Sequence, residues 1–114
     1  MEKEKEGNIM PYKGPEQSYQ NIRNYAEKWR WRDPKSKIIT TGYLPPANAT
    51  EVSQVPVFIK YITLKGKLES GNVVTLKVDV RRHQRMVMFV ESKEVRIIND
   101  YLVISIDGTR FITH

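Results

Sequence analysis

The chain contains no cysteine. Disulfides, thiolate nucleophiles and cysteine-ligated zinc are therefore excluded. The small secreted domains that depend on disulfides are disfavoured on the same ground. Histidine is scarce, with only His83 and His114. Neither stands at a metal-ligand spacing from another histidine or from carboxylates. His83 sits among arginines and reads as a solvated loop residue. The six glycines are scattered, so no glycine-rich phosphate loop is present. Ser53, Ser70, Ser92 and Ser105 lack the context of a nucleophile elbow. Asp79, Glu91, Glu94, Asp100 and Asp107 fall near strand ends and turns, where carboxylates commonly serve turn chemistry. No apolar run approaches the roughly 18 residues needed to cross a bilayer. Residues 1–6 carry charges of both signs with no apolar stretch behind them, unlike a signal peptide. These absences lead to the expectation of a non-enzymatic protein with no cofactor, metal or small-molecule substrate. It is expected in the cytoplasm or in a particle assembled there, without membrane attachment.

What is abundant is positive charge. Nineteen Lys and Arg stand against thirteen Asp and Glu, a formal charge of +6. Such a balance favours an anionic partner, either nucleic acid or an acidic protein surface. The cations concentrate in residues 13–37, where seven of them meet three carboxylates. Within that stretch Glu27-Lys-Trp-Arg-Trp-Arg-Asp33 interleaves indoles with guanidinium groups. That chemistry suits a single strand, with arginines on phosphates and indoles on bases. Arg81-Arg-His-Gln-Arg85 forms a second cluster. The candidate contact residues are Arg30, Trp31, Arg32, Lys35, Lys37, Arg81, Arg82 and Arg85. Signatures of zinc fingers, RNA-recognition motifs and KH domains are absent, so no sequence specificity is implied.

The hydropathy pattern divides the chain near residue 55. Residues 1–55 read as an N-terminal arm and 56–114 as a β domain. Tyr19, Ile22, Ala26 and Trp29 recur at spacings of three, four and three. This predicts one short helix over about residues 16–31, ended by Asp33-Pro34. Tyr19, Ile22 and Trp29 are its expected anchors on the rest of the protein.

Beyond residue 56 the chain is β-branched and alternating. Phe58, Ile62, Leu64 and Leu68 are expected on one face. Glu69-Ser-Gly-Asn72 reads as a turn, Asn99-Asp100 as a tight hairpin, and Asp107-Gly108 as the clearest hairpin signal. Met86–Val90 is apolar on both faces, which suits a central or covered strand. The expected architecture is a small antiparallel barrel or sandwich of five to six strands, SH3-like or OB-like. Two functions follow. One is nucleic-acid binding through the phosphate backbone. The other is a structural role, for example in a virus or phage particle or a homo-oligomer, with the arm wrapping a neighbouring subunit.

Overall fold

The computed structural model describes residues 16–112. They are mainly β, with ten strands in two sheets and two short 3-10 helices. The strands are β1 (Glu16–Ser18), β2 (Lys28–Arg32), β3 (Ile39–Gly42), β4 (Thr50–Val55) and β5 (Val57–Ile62). They continue as β6 (Leu68–Asp79), β7 (Gln84–Phe89), β8 (Val95–Asn99), β9 (Val103–Ile106) and β10 (Thr109–Ile112). The large sheet runs β1-β10-β9-β5-β6-β7-β8, and the small one β3-β2-β4. No barrel closes. The chain leaves β8 through the 3-10 helix Asp100–Leu102 and enters β9 beside β5, so β8 remains an edge. Asn99 is the cap of that helix, its side chain accepting from the Tyr101 N–H, and not the hairpin turn its sequence suggests.

The helix expected over 16–31 is replaced by three elements: β1, a 3-10 helix over Tyr19–Asn24, and β2. The run Lys-Trp-Arg-Trp-Arg alternates with a period of two, and as a strand it gains ladders on both sides, to β3 and β4. A lone short helix would have had no such partners. The stretch expected as an arm therefore supplies β1, parallel to β10, and two members of the main core, Ile22 and Ala26. The side chain of Tyr19, like residues 1–15, lies outside what is described.

The core is built from the odd positions of β5, namely Val57, Ile59 and Tyr61, with Val73, Val87, Ile98, Val103, Ile106 and Phe111. Phe58 is exposed, and Leu64 falls in the β5–β6 turn, so it does not share a strand face with Phe58, Ile62 and Leu68. Glu69–Asn72 lies inside β6 and is not a turn. The Phe89 ring lies beside Gly71, where an added Cβ would sit 3.4 Å from it, an ordinary van der Waals contact. A bulge between Thr75 and Lys77 shifts the alternation of β6, bringing Val78 opposite Arg85.

Two tethers join the sheets. Only Pro56 separates β4 from β5; lacking an N–H, it ends one ladder as the chain enters the other sheet. Beside it the Gln54 side chain takes the place that a neighbouring strand would fill. The Thr75 N–H donates to Gln54 Oε1 at 2.7 Å, and Gln54 Nε2 donates to the Thr75 carbonyl at 3.1 Å. The second tether is Asp107, in the β9–β10 turn with φ 50. One carboxylate oxygen accepts the Phe58 N–H at 2.8 Å. The other accepts from the Tyr43 hydroxyl at 3.0 Å and pairs with Lys28 Nζ at 3.1 Å.

Asp107→Asn keeps a residue that tolerates the left-handed turn but loses the charge facing Lys28. It is expected to cost about 1 kcal/mol in urea denaturation, whereas Asp107→Ala should cost about 3 kcal/mol. Equal costs for the two substitutions would remove the tether from the account.

Candidate binding groove

Where the small sheet meets the end of β6 there is a groove of about 370 Å³. Trp29 and Tyr43 line it from the small-sheet side, and Val78 at the end of β6 and Val80 just after it from the other. Arg23 and Glu27 reach it from the segment before β2. The placement of Trp29 follows from β2. Its odd residues share one face, and both of its neighbours hydrogen-bond to the backbone, so the indole is held on a central strand. Trp29 is half-buried. Tyr43 is fixed by Asp107 below and by the Tyr25 ring at 5.4 Å, which in turn meets Phe111 at 5.7 Å.

Burial, and next the hydrogen bond to the Asp107 carboxylate, push the Tyr43 hydroxyl up to about 12. Burial and the Glu69 carboxylate raise Tyr61 as well. Both groups favour the neutral form when folded, so their contribution is complete below the ordinary tyrosine value of 10.0. It is lost as pH rises from there towards about 12. Stability measured across that window should fall, with phenolate absorbance appearing together with unfolding. Tyr43→Phe should fall less steeply.

The expected contact residues separate into two groups. Trp31 is 6% exposed, lying against the backbone of Gly42, where an added Cβ would approach the ring to 3.0 Å. It cannot stack on a base in this conformation, and the half-buried Trp29, expected as the anchor, is the indole that reaches a groove. Arg85 is 2% exposed and forms a bidentate pair with Asp100, Nε to Oδ1 at 2.7 Å and Nη2 to Oδ2 at 3.1 Å. Its guanidinium is structural. Arg32 pairs with Glu51 and also donates to the Lys37 carbonyl. The Glu51 carboxylate is thereby held below its ordinary range, chiefly by the hydrogen bond from Arg32.

Arg30, Lys35, Lys37, Arg81 and Arg82 remain exposed. Arg30 stands on the outer face of the small sheet beside Thr41 and Ser53. Lys35 and Lys37 occupy the following turn, where Asp33 accepts the N–H groups of Lys35 and Ser36 and is held below its ordinary range by them. Arg81 and Arg82 follow Val80, at the end of the groove; Arg82 lies 3.8 Å from Asp79 at a highly exposed position. Arg23 and Tyr43 are the groove residues that sequence reasoning missed. Neither belongs to a local run, and only the docking of the small sheet brings them together.

No family model, curated protein or solved structure matches this chain. Among the described residues no helix is long and apolar enough to cross a membrane.

The two classes of arginine should separate in denaturation. Arg85→Ala strands the Asp100 carboxylate in the interior and should cost about 3–5 kcal/mol. Arg81→Ala and Arg82→Ala should each stay within about 0.5 kcal/mol of the parent.

Proposed function

We propose that this chain is a non-enzymatic module that binds single-stranded nucleic acid through phosphates and base stacking, without sequence specificity. The observation that supports this reading most directly is the groove itself. It presents an aromatic wall, Trp29 and Tyr43, with Arg23 at one side and the exposed Arg81–Arg82 turn continuing from Val80. An indole offers every base the same π-face, and the guanidinium groups pair with phosphates whatever the sequence. The connectivity fits a small binding barrel of the SH3-like kind, opened along one seam. Strands β5 to β8 form a meander, a 3-10 helix follows, and β9 returns to pair with β5.

Tryptophan fluorescence titrated with a single-stranded oligonucleotide tests the reading. Affinity should fall with salt along a log–log slope of about −0.7 per phosphate contacted. Replacing Arg81 and Arg82 together by alanine should flatten that slope, and Trp29→Ala should cost about 1–3 kcal/mol of binding. Binding indifferent to salt, or an Arg81/Arg82 variant with the parent's slope, sinks the proposal.

A second reading, as a subunit of a larger assembly such as a virus or phage particle, draws on a different surface. On the outer side of β6–β8, Val74, Met88 and Val95 form one cross-strand row, and Met86 and Ile97 stand next to it. Val95 and Ile97 are exposed. Contiguous apolar surface of this kind marks interaction sites.

A further inference from the structure

The unclosed side of the large sheet carries features that nucleic-acid binding does not use. Among the described residues strand β8 is an edge, and its ladder to β7 sets which backbone groups turn outward. The Phe89 N–H donates to the Glu94 carbonyl at 2.8 Å, and the pairs Val87–Arg96 and Arg85–Ile98 continue that alternation. Arg96 and Ile98 therefore turn their backbone groups towards β7, and Val95 and Ile97 turn theirs outward. Arg96 Nη1 donates to the Val95 carbonyl at 3.5 Å. Natural edges are usually blunted by proline, bulges or inward charges. Here β8 has no proline, its register to β7 is regular, and Arg96 is its one charge.

Alongside β8 lies a groove of about 350 Å³ between it and the β5–β6 turn. Leu64, Ile97 and Leu102 give it apolar lining; Leu64 is 86% and Ile97 62% exposed. Lys65, Lys67 and Arg96 stand around the same groove. Both lysines are exposed and have no ion pair with a described residue, and the single carboxylate in the lining, Glu69, accepts the Tyr61 hydroxyl. Arg96 already pairs with Glu94, Nη2 to Oε1 at 3.0 Å, so the positive surplus rests on the two lysines.

From these we infer that the seam captures an extended acidic segment of another protein by strand addition to β8. The outward N–H and C=O groups of Val95 and Ile97 supply the main-chain ladder, independent of side-chain identity. Specificity comes from alternation. Ile97 and Arg96 point to opposite faces of β8, so the incoming strand meets apolar surface on one side and cations on the other. A segment alternating apolar and acidic residues answers both. This site shares no lining residue with the Trp29 groove, so it stands or falls separately from nucleic-acid binding.

The probes are short synthetic peptides in which valine alternates with glutamate, serine or lysine, added to the isotope-labelled full chain. The glutamate peptide should saturate, shift the amide signals of Val95 and Ile97 and slow their hydrogen exchange. It should bind at least about tenfold more tightly than the lysine peptide. Ile97→Pro removes an N–H that points away from β7, so the fold should persist, as a matching thermal melt would show, while binding weakens by at least about tenfold. Reversing Lys65 and Lys67 to Glu should invert the preference towards the lysine peptide. The inference is overturned if none of the peptides saturates, if a folded Ile97→Pro binds as the parent does, or if the shifts lie elsewhere. Protection of Ile97 that grows with protein concentration in peptide-free samples would also overturn it, by assigning the edge to a second copy.

Discussion

One carboxylate holds the arrangement together. Asp107 sits in a tight turn with its backbone in the left-handed region, a conformation that short polar side chains tolerate better than most. That geometry aims both oxygens at groups from elsewhere: the Phe58 N–H in the large sheet, and Lys28 and Tyr43 at one end of the antiparallel β2–β3 pair. Hydrogen bonds to a charged acceptor are roughly twice as strong as neutral ones, and all three donors here meet one group. Without it, the small sheet would be fixed to the large one by Pro56 and the Gln54 amide at its other side. The groove lined by Trp29 and Val78 exists only while both sheets keep their places. A hairpin turn, chosen by its local backbone, thus sets the geometry of a surface formed by residues far away in sequence.

The same logic sorts the cations. Lys28, Arg32 and Arg85 each face a carboxylate of the chain itself, in Asp107, Glu51 and Asp100. Of these, the Arg85–Asp100 pair is the interior one. Taking two charges from water is costly, and the bidentate geometry is what offsets it. The pair also fixes Arg85, on β7, against the 3-10 helix that carries the chain from β8 to β9. Arg23, Arg30, Lys35, Lys37 and Arg81 face solvent instead. Net charge alone does not distinguish these two populations, because each internal pair removes a carboxylate along with its cation. The outward field is therefore positive at particular places, not uniformly.

Much of the β half was legible from pattern. The Asp107–Gly108 turn, the strand at Val95 and the two-sided apolar character of β7 follow from residue type and period. What was lost depended on partners distant in sequence. Trp29 fits a helical stripe with Tyr19, Ile22 and Ala26 and, with Trp31, a period of two, and only the ladders to β3 and β4 decide for the strand. Arg85 looked like its neighbours Arg81 and Arg82, yet it lies on β7 two residues before Val87 and shares that residue's buried face, while they stay in the turn. Gly71 carried the same turn signal as any glycine beside serine and asparagine, yet it lies within β6, paired with Ile59. In the candidate groove, Arg81 and Arg82 were readable as a cluster. Arg23 and Tyr43 were not, since nothing local marks them.

Among the described residues β1 stands at one end of the large sheet and β8 at the other. β8 has five residues, flanked by Met86 and Met88 whose outer faces are only partly covered. An edge of that kind, with β-branched side chains and little charge, tends to pair indiscriminately unless something restricts access. Here the β5–β6 turn stands across the groove from it and narrows the approach, and its lysines repel basic segments. The seam is thus open to an extended chain of suitable charge and closed to most others. Left unclosed, the sheet keeps a row of backbone groups available, and the lysines across the groove give that row its selectivity.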